Sequence, residues 1–251
     1  MQFLNLAKKY IINSQLYVSL TGTALAVFFM LEQNLLRWPT VLLIFITYFS
    51  GYLYTKYQKH RHFSKILVFN VICGVLSGAL ILLNHNEVRL LKWLCIVALG
   101  LLYNSFFLEN YIRKIPLLKV FYVGFTWALV NSWLILPDFH PGIFTVSLLF
   151  VSALVLPFDI RDMNHDDVVT FPRLIGVQKT KYLACLMLTA SALISIFTLP
   201  REFAAAFVIT NILTMIFVYF SENTNKDAYF SFGVESCSAL PLLITILMKY
   251  F

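Results

Sequence analysis

The stretch Pro157-Phe158-Asp159-Ile160-Arg161-Asp162-Met163-Asn164-His165-Asp166-Asp167 puts four carboxylates into nine residues, a third of the 12 acids in a chain of 251. The remainder is overwhelmingly apolar, with 60% hydrophobic residues, and carboxylates that approach hydrocarbon mark function by default. If helix continues a turn or two past Phe158, then Asp159, Asp162 and Asp166 fall at i, i+3 and i+7 on one face. Three carboxylates so placed repel one another unless a cation lies between them. Mg²⁺ prefers carboxylate oxygens and keeps waters or phosphate oxygens in its remaining positions, so this face suits a metal-bridged diphosphate. The plainer alternative is a solvated loop that is simply acidic.

The elements that must position these residues are membrane helices. A mean hydropathy of +0.79, with 24 Phe, 13 Tyr and only 12% charged residues, excludes an ordinary soluble domain. Apolar runs long enough to cross about 30 Å of hydrocarbon occur near 12–31, 38–54, 65–84, 88–107, 116–136, 141–158, 182–199, 203–220 and 229–248. The fold class expected is all-α, a polytopic membrane bundle of about nine transmembrane helices forming one domain over residues 1–251. Lys8 and Lys9 precede the first run as they would in a secretory signal, but no convincing small-residue cleavage site follows, so the first span is expected to be retained. Cys73, Cys95, Cys185 and Cys237 lie inside spans without metal-like spacing and read as packing residues. Pro116, Pro141 and Pro157 mark span ends. Gly51, Gly74, Gly78, Gly100 and Gly124 read as points where helices approach closely.

Nine spans place fourteen of the 19 Lys and Arg on the side of the N-terminus, against Arg37, Arg89, Lys92, Arg201 and Lys249 on the other. The positive-inside rule then sets the N-terminus in the cytoplasm and the C-terminus outside, in an integral membrane protein of the plasma (cell inner) membrane. The net charge of +7 is a topology signal and a hold on anionic lipid headgroups, with no call for nucleic acid. The acidic stretch shares the cytoplasmic face with nearly all the basic loops.

Asp159-Ile160-Arg161-Asp162-x-x-x-Asp166, followed by Thr170-Phe171-Pro172-Arg173-Leu174-Ile175-Gly176, resembles the second aspartate-rich motif of the UbiA superfamily of intramembrane prenyltransferases. Leu102-Tyr103-Asn104-Ser105 and Arg113-Lys114-Ile115-Pro116-Leu117-Leu118-Lys119 are similar to that family's Tyr-Ser and Lys-x-Pro-x-x-Lys region entering the fifth helix. The resemblance implies a Mg²⁺-dependent transfer. Metal ions on aspartate-rich motifs hold the diphosphate of an isoprenoid donor, its allylic C–O bond ionises, and an acceptor traps the carbocation. Carried over by position, Asp159, Asp162 and Asp166 are the metal ligands and Lys119 contacts the diphosphate, with Arg161 and Lys114 as further contacts. Metal ions and basic side chains neutralise a leaving diphosphate, and aromatic faces shield a cation.

The family's first motif, Asn-Asp-x-x-Asp-x-x-x-Asp, is missing. Its place at the end of the second span reads Ser50-Gly51-Tyr52-Leu53-Tyr54-Thr55-Lys56-Tyr57-Gln58-Lys59-His60-Arg61-His62, and no acid occurs between Glu32 and Glu87. Lys56, Lys59 and Arg61 could replace one metal ion by holding the diphosphate directly, or serve only as topology determinants. Glu235, inside the ninth span, could take a proton from an acceptor hydroxyl, bind an acceptor polar group, or be a packing residue beside Ser236 and Ser238. Asn13, Ser14, Gln15, Asn131 and Ser132 read as hydrogen-bonding residues between helices. Three function classes stay open. The first is a prenyltransferase with an incomplete metal site. The second is a noncatalytic member of the fold that binds an isoprenoid or lipid phosphate. The third is a small transporter resting on Glu235. Isoprenoid diphosphate and membrane lipids are the expected partners, and the acceptor is open.

Overall fold

The computed structural model describes residues 15–58, 60–61, 63–103, 115–164 and 168–250. Its helices follow the apolar runs: α1 Leu16–Glu32, α2 Trp38–Tyr57, α3 Phe63–Leu83, α4 Glu87–Tyr103, α5 Leu118–Leu129, α6 Pro141–Asp162, the short α7 Phe171–Ile175, α8 Val177–Thr198, α9 Arg201–Tyr219 and α10 Leu240–Tyr250. No strand occurs among the described residues, and the protein is an all-α membrane bundle. Four of these helices, α3, α6, α8 and α9, are each long and apolar enough to cross a membrane. In lipid every backbone polar group must be satisfied within its own segment, which is why apolar runs of this length become helices.

Each long helix packs on the next, from α1 to α6, then α8, α9 and α10, and α10 returns to α1. Short connections make neighbours antiparallel, so the end of α2, the start of α5, the end of α6 and the segment leading into α10 meet at one end of the ring. Local chemistry fixes the boundaries. Pro141 opens α6, where its missing N–H costs nothing, and His140 Nδ1 accepts from the Ile143 amide at 3.2 Å. Gly176, at φ +86, turns the chain between α7 and α8 in a conformation that side chains disfavour. At the opposite end, buried Lys92 donates to the carbonyls of Trp133, Leu136 and Pro137 at 3.1, 3.0 and 2.7 Å. It thereby closes the carbonyl end of α5 and its π-helical continuation Val130–Leu134.

The centre of the ring is filled unevenly. Phe28 and Phe29 of α1, Phe150 of α6 and Phe203 and Phe207 of α9 interlock, with Phe150 and Phe207 centroids 5.2 Å apart. Between α2, α3, α4 and α5 a cavity of about 270 Å³ remains. Helix α3 packs chiefly on α2 and presents most of its surface outward, with Val68, Val75 and Leu83 all more than half exposed.

Three expectations need correction. Pro157 lies inside α6, which runs on to Asp162; a membrane helix tolerates proline where neighbours re-satisfy the freed carbonyl. The ninth span is broken into a π-helical turn at Tyr229–Val234 and α10, with turns at 237–239, because Pro241 has no N–H to continue the ladder. Of the five glycines, only Gly124 marks a close approach: a Cβ there would collide with Ser152 Oγ and lie 3.0 Å from the Leu148 carbonyl. Gly51, Gly74, Gly78 and Gly100 have nothing within 4 Å of that position. Asn131 does bond between helices, donating to Ser147 Oγ at 3.1 Å. Ser132 bonds within its own helix, to the Ala128 carbonyl, and Asn13 and Ser14 lie outside the described residues.

Gly124→Ala should lower stability by about 1–3 kcal/mol through overpacking, read as a reduced thermal midpoint in nanodiscs. Gly100→Ala should leave the midpoint unchanged or raise it slightly, since alanine favours helix. Equal losses at both positions would show that the α5–α6 contact is not the tight one.

Candidate functional site

Because α6 persists through Pro157, Asp159 and Asp162 sit on its last turn. Asp159 is buried, 1% exposed, and its carboxylate meets Lys119 Nζ of α5 at 2.9 Å. Lys119 itself is about one-third exposed, so its ammonium reaches down from the rim of the bundle. Asp162 is gripped from its own helix: Arg161 donates Nε and Nη2 to its two oxygens at 2.6 and 2.8 Å. The Arg161 guanidinium also lies over the rings of Phe158 and Phe230, 5.2 and 5.7 Å from their centroids, so it is held between aromatic rings and a carboxylate. Met163 and Asn164 form a turn, and the carbonyl of Met163 accepts from Arg173 Nε. The loop returns to α5 where the Leu117 amide bonds the Val169 carbonyl at 3.3 Å.

Glu235 joins this group from the far side of the ring. It follows the π-helical turn directly, is half-buried, and stands within electrostatic range of Arg161 and Lys56. Tyr17 of α1 reaches the neighbouring Ser236 at 2.5 Å, fixing that segment against the first helix. Lys56, exposed at the last turn of α2, brings the basic run of the second span to the same place, with its Nζ 5.7 Å from the Tyr57 ring centroid. Six of the residues picked from the sequence, Lys56, Lys119, Asp159, Arg161, Asp162 and Glu235, thus converge at one end of the bundle. Asp166 and Lys114, like Lys59, lie outside the described residues.

The group contains three cationic and three anionic side chains and is therefore close to neutral as it stands. Among the described residues no three His, Cys, Asp or Glu stand together, although Mg²⁺ held beside a substrate phosphate needs only one or two carboxylates. The described residues show two of the motif's three carboxylates, each paired with a cation. What the group can do is meet an anion. A phosphate group arriving at this end can take the Lys119 ammonium and the edge of the Arg161 guanidinium, with Lys56 at the rim.

Beneath the charged end lies the cavity, which the sequence did not disclose. Lys119, Tyr122, Val123 and Thr126 share one face of α5, and the last three line the cavity, so the stripe that carries the lysine runs down into it. Its walls are aromatic. The rings of Tyr48 and Trp127 are 4.9 Å apart, and Trp127 Nε1 donates to the Tyr52 hydroxyl at 3.0 Å. Tyr103 stacks on Tyr122 at 4.9 Å, and Trp93 Nε1 donates to Thr47 Oγ1 at 2.9 Å. Tyr48, Gly51, Tyr52 and Thr55 recur at i, i+3, i+4 and i+7 of α2. That spacing is legible in the sequence, beside the more conspicuous basic run that follows it.

Lys119→Met leaves a buried carboxylate without its cation and should cost about 1–3 kcal/mol. Adding Asp159→Asn should restore most of that loss, the coupling expected of neighbours. Thermal or denaturant unfolding in detergent measures both; a double variant as unstable as the single one would mean the pair does not hold α5 to α6.

No protein-family model and no curated protein matches the chain. Solved structures do. A structure concerned with digeranylgeranylglyceryl phosphate synthase in membranes matches with a TM-score of 0.60 and 15% identity over 98% of each chain. A UbiA homolog from Archaeoglobus fulgidus, bound to GPP and Mg²⁺, matches with a TM-score of 0.60 and 10% identity over 96% of each chain. Both alignments cover nearly the whole chain, and the chain has a UbiA-like fold.

Proposed function

We propose that the chain is a membrane prenyltransferase that takes an isoprenoid diphosphate at its charged end and passes the prenyl group to an acceptor held in the bundle. The observation that carries this reading is the convergence of Lys56, Lys119 and Arg161 on one end, directly above an aromatic-walled cavity. The shared fold supports it, since one protein of that fold binds GPP and Mg²⁺. The charged end and the N-terminus face the cytoplasm and the C-terminus lies outside, as the distribution of basic residues directs.

In this reading the diphosphate displaces Asp159 from Lys119 and is held by Lys119 and Arg161. The allylic C–O bond breaks with its electron pair leaving on the diphosphate, whose charge these cations stabilise. Tyr52 and Trp127 in the cavity wall offer π-faces to the allylic cation. An electron pair of the acceptor forms the new bond to carbon, and the proton that the acceptor loses passes to Glu235. Exclusion of water by the apolar walls protects the cation from hydrolysis. A second reading, binding of the isoprenoid diphosphate without turnover, is favoured by one observation: both described aspartates of the motif are already neutralised by Lys119 and Arg161.

The test is GPP offered to the full chain in nanodiscs, with Mg²⁺ or with EDTA, reading both binding and diphosphate release. Release that falls at least about tenfold in Lys119→Met, as expected for loss of a charge-assisted contact, supports transfer. The EDTA arm shows whether a metal takes part. Binding without release in either arm supports the second reading, and no binding refutes both.

A further inference from the structure

The cavity holds two polar side chains that its own walls leave unsatisfied. The Tyr48 hydroxyl and both polar atoms of the Asn70 amide are buried and have no hydrogen-bond partner among the described residues. Tyr48 is only 7% exposed, and both residues line the cavity, from α2 and α3 respectively. Their neighbours differ. Trp127 donates to Tyr52, Trp93 to Thr47, Tyr122 to the Leu99 carbonyl at 2.7 Å, and Thr126 to the Tyr122 carbonyl. Buried polar groups are nearly always paired, and an exception needs a reason. In a membrane bundle the cost of leaving one open is high.

The rest of the lining says what could pair with them. Among the described residues it contains no Asp, Glu, Lys or Arg, which favours a neutral occupant at this depth. The walls are Tyr and Trp rings, and Gly51, Gly74 and Gly100 leave open space where side chains would otherwise project, which lets a flat molecule lie against backbone. A volume of about 270 Å³ compares with the roughly 150 Å³ in which an apolar cavity holds benzene. That suits a nucleus of about two fused rings. A tyrosine hydroxyl and a carboxamide each donate and accept, which matches a ring carbonyl or ring hydroxyl.

We propose that Tyr48 and Asn70 form the recognition pair of a binding chamber for a neutral ring compound bearing a carbonyl or hydroxyl oxygen. As the acceptor of the transfer above, this compound rests on that reading; as a ligand of the chamber it stands without it. Any test by binding alone therefore separates the two. The charged end is built to hold the anion, and the chamber below it orients the oxygen-bearing ring.

The experiment is isothermal titration of the full chain in nanodiscs with 2-naphthol and with 2-methylnaphthalene, subtracting partition into empty nanodiscs. Wild type should bind 2-naphthol about tenfold more tightly than the hydrocarbon, the scale of one hydrogen bond in a dry site. Tyr48→Phe and Asn70→Leu should each shrink that preference and together abolish it, while affinity for 2-methylnaphthalene holds. Tyr48→Phe removes a hydroxyl without a partner, so its thermal midpoint should not fall, and this variant alone decides the matter if Asn70→Leu does not fold. Gly74→Leu should weaken both probes together by filling the chamber. Equal affinity for the two probes in wild type, a preference that survives the double variant, or indifference of both titrations to Gly74→Leu would each overturn the assignment. The first of these would mean that water alone satisfies the two groups.

Discussion

The ion pair between Lys119 and Asp159 is the contact on which the charged end depends. It joins the first turn of α5 to the last turn of α6 and puts a carboxylate that is 1% exposed within reach of a cation from the rim. Asp159 would not be stable as a charge in that place alone, because an unpaired charge at such depth costs far more than the pair gains by forming. The pair also sets the height of everything around it. With α6 held there, Arg161 falls between Phe158 and Phe230, and Glu235 from the segment before α10 stands within electrostatic range of Arg161 and of Lys56 from α2.

Much of this architecture could be read from the chain. Runs of about 20 apolar residues gave the helices, since bilayer thickness leaves few alternatives. Clustering of acids and bases on one side pointed to the charged end where Lys119 meets Asp159 and Arg161 meets Asp162. Pro157 was misread because proline ends helices in water, whereas neighbouring helices in a bundle can supply what it removes. The break before Pro241 followed the ordinary rule but was hidden in a continuous apolar run. The cavity was harder. A glycine in a span looks the same whether a neighbouring helix presses on it, as at Gly124, or nothing does, as at Gly51, Gly74 and Gly100. Only the packing of four helices decides which. Tyr48 and Asn70 were ordinary span residues for the same reason: a polar group reveals itself as unsatisfied only when its surroundings are known.

The aromatic content is divided between two tasks. Phe28, Phe29, Phe150 and Phe207 close one half of the ring as solid filling. Tyr48, Tyr52, Trp93, Tyr103, Tyr122 and Trp127 wall the other half and carry polar atoms, most of them tied to partners. Phenylalanine packs without further demands, while Tyr and Trp need a partner for each O–H or N–H when buried. The side with hydroxyl and indole groups is the side left hollow.

Helix α3 forms the outer wall of that hollow side, leaning on α2 and turning most of its surface to lipid. A hydrophobic molecule that passes α3 comes from the leaflet and never crosses water. Its supply is then governed by its mole fraction in the bilayer and by diffusion in two dimensions, and an aqueous concentration no longer describes how saturated the protein is. Membrane composition would act on such a protein as substrate level acts on a soluble one.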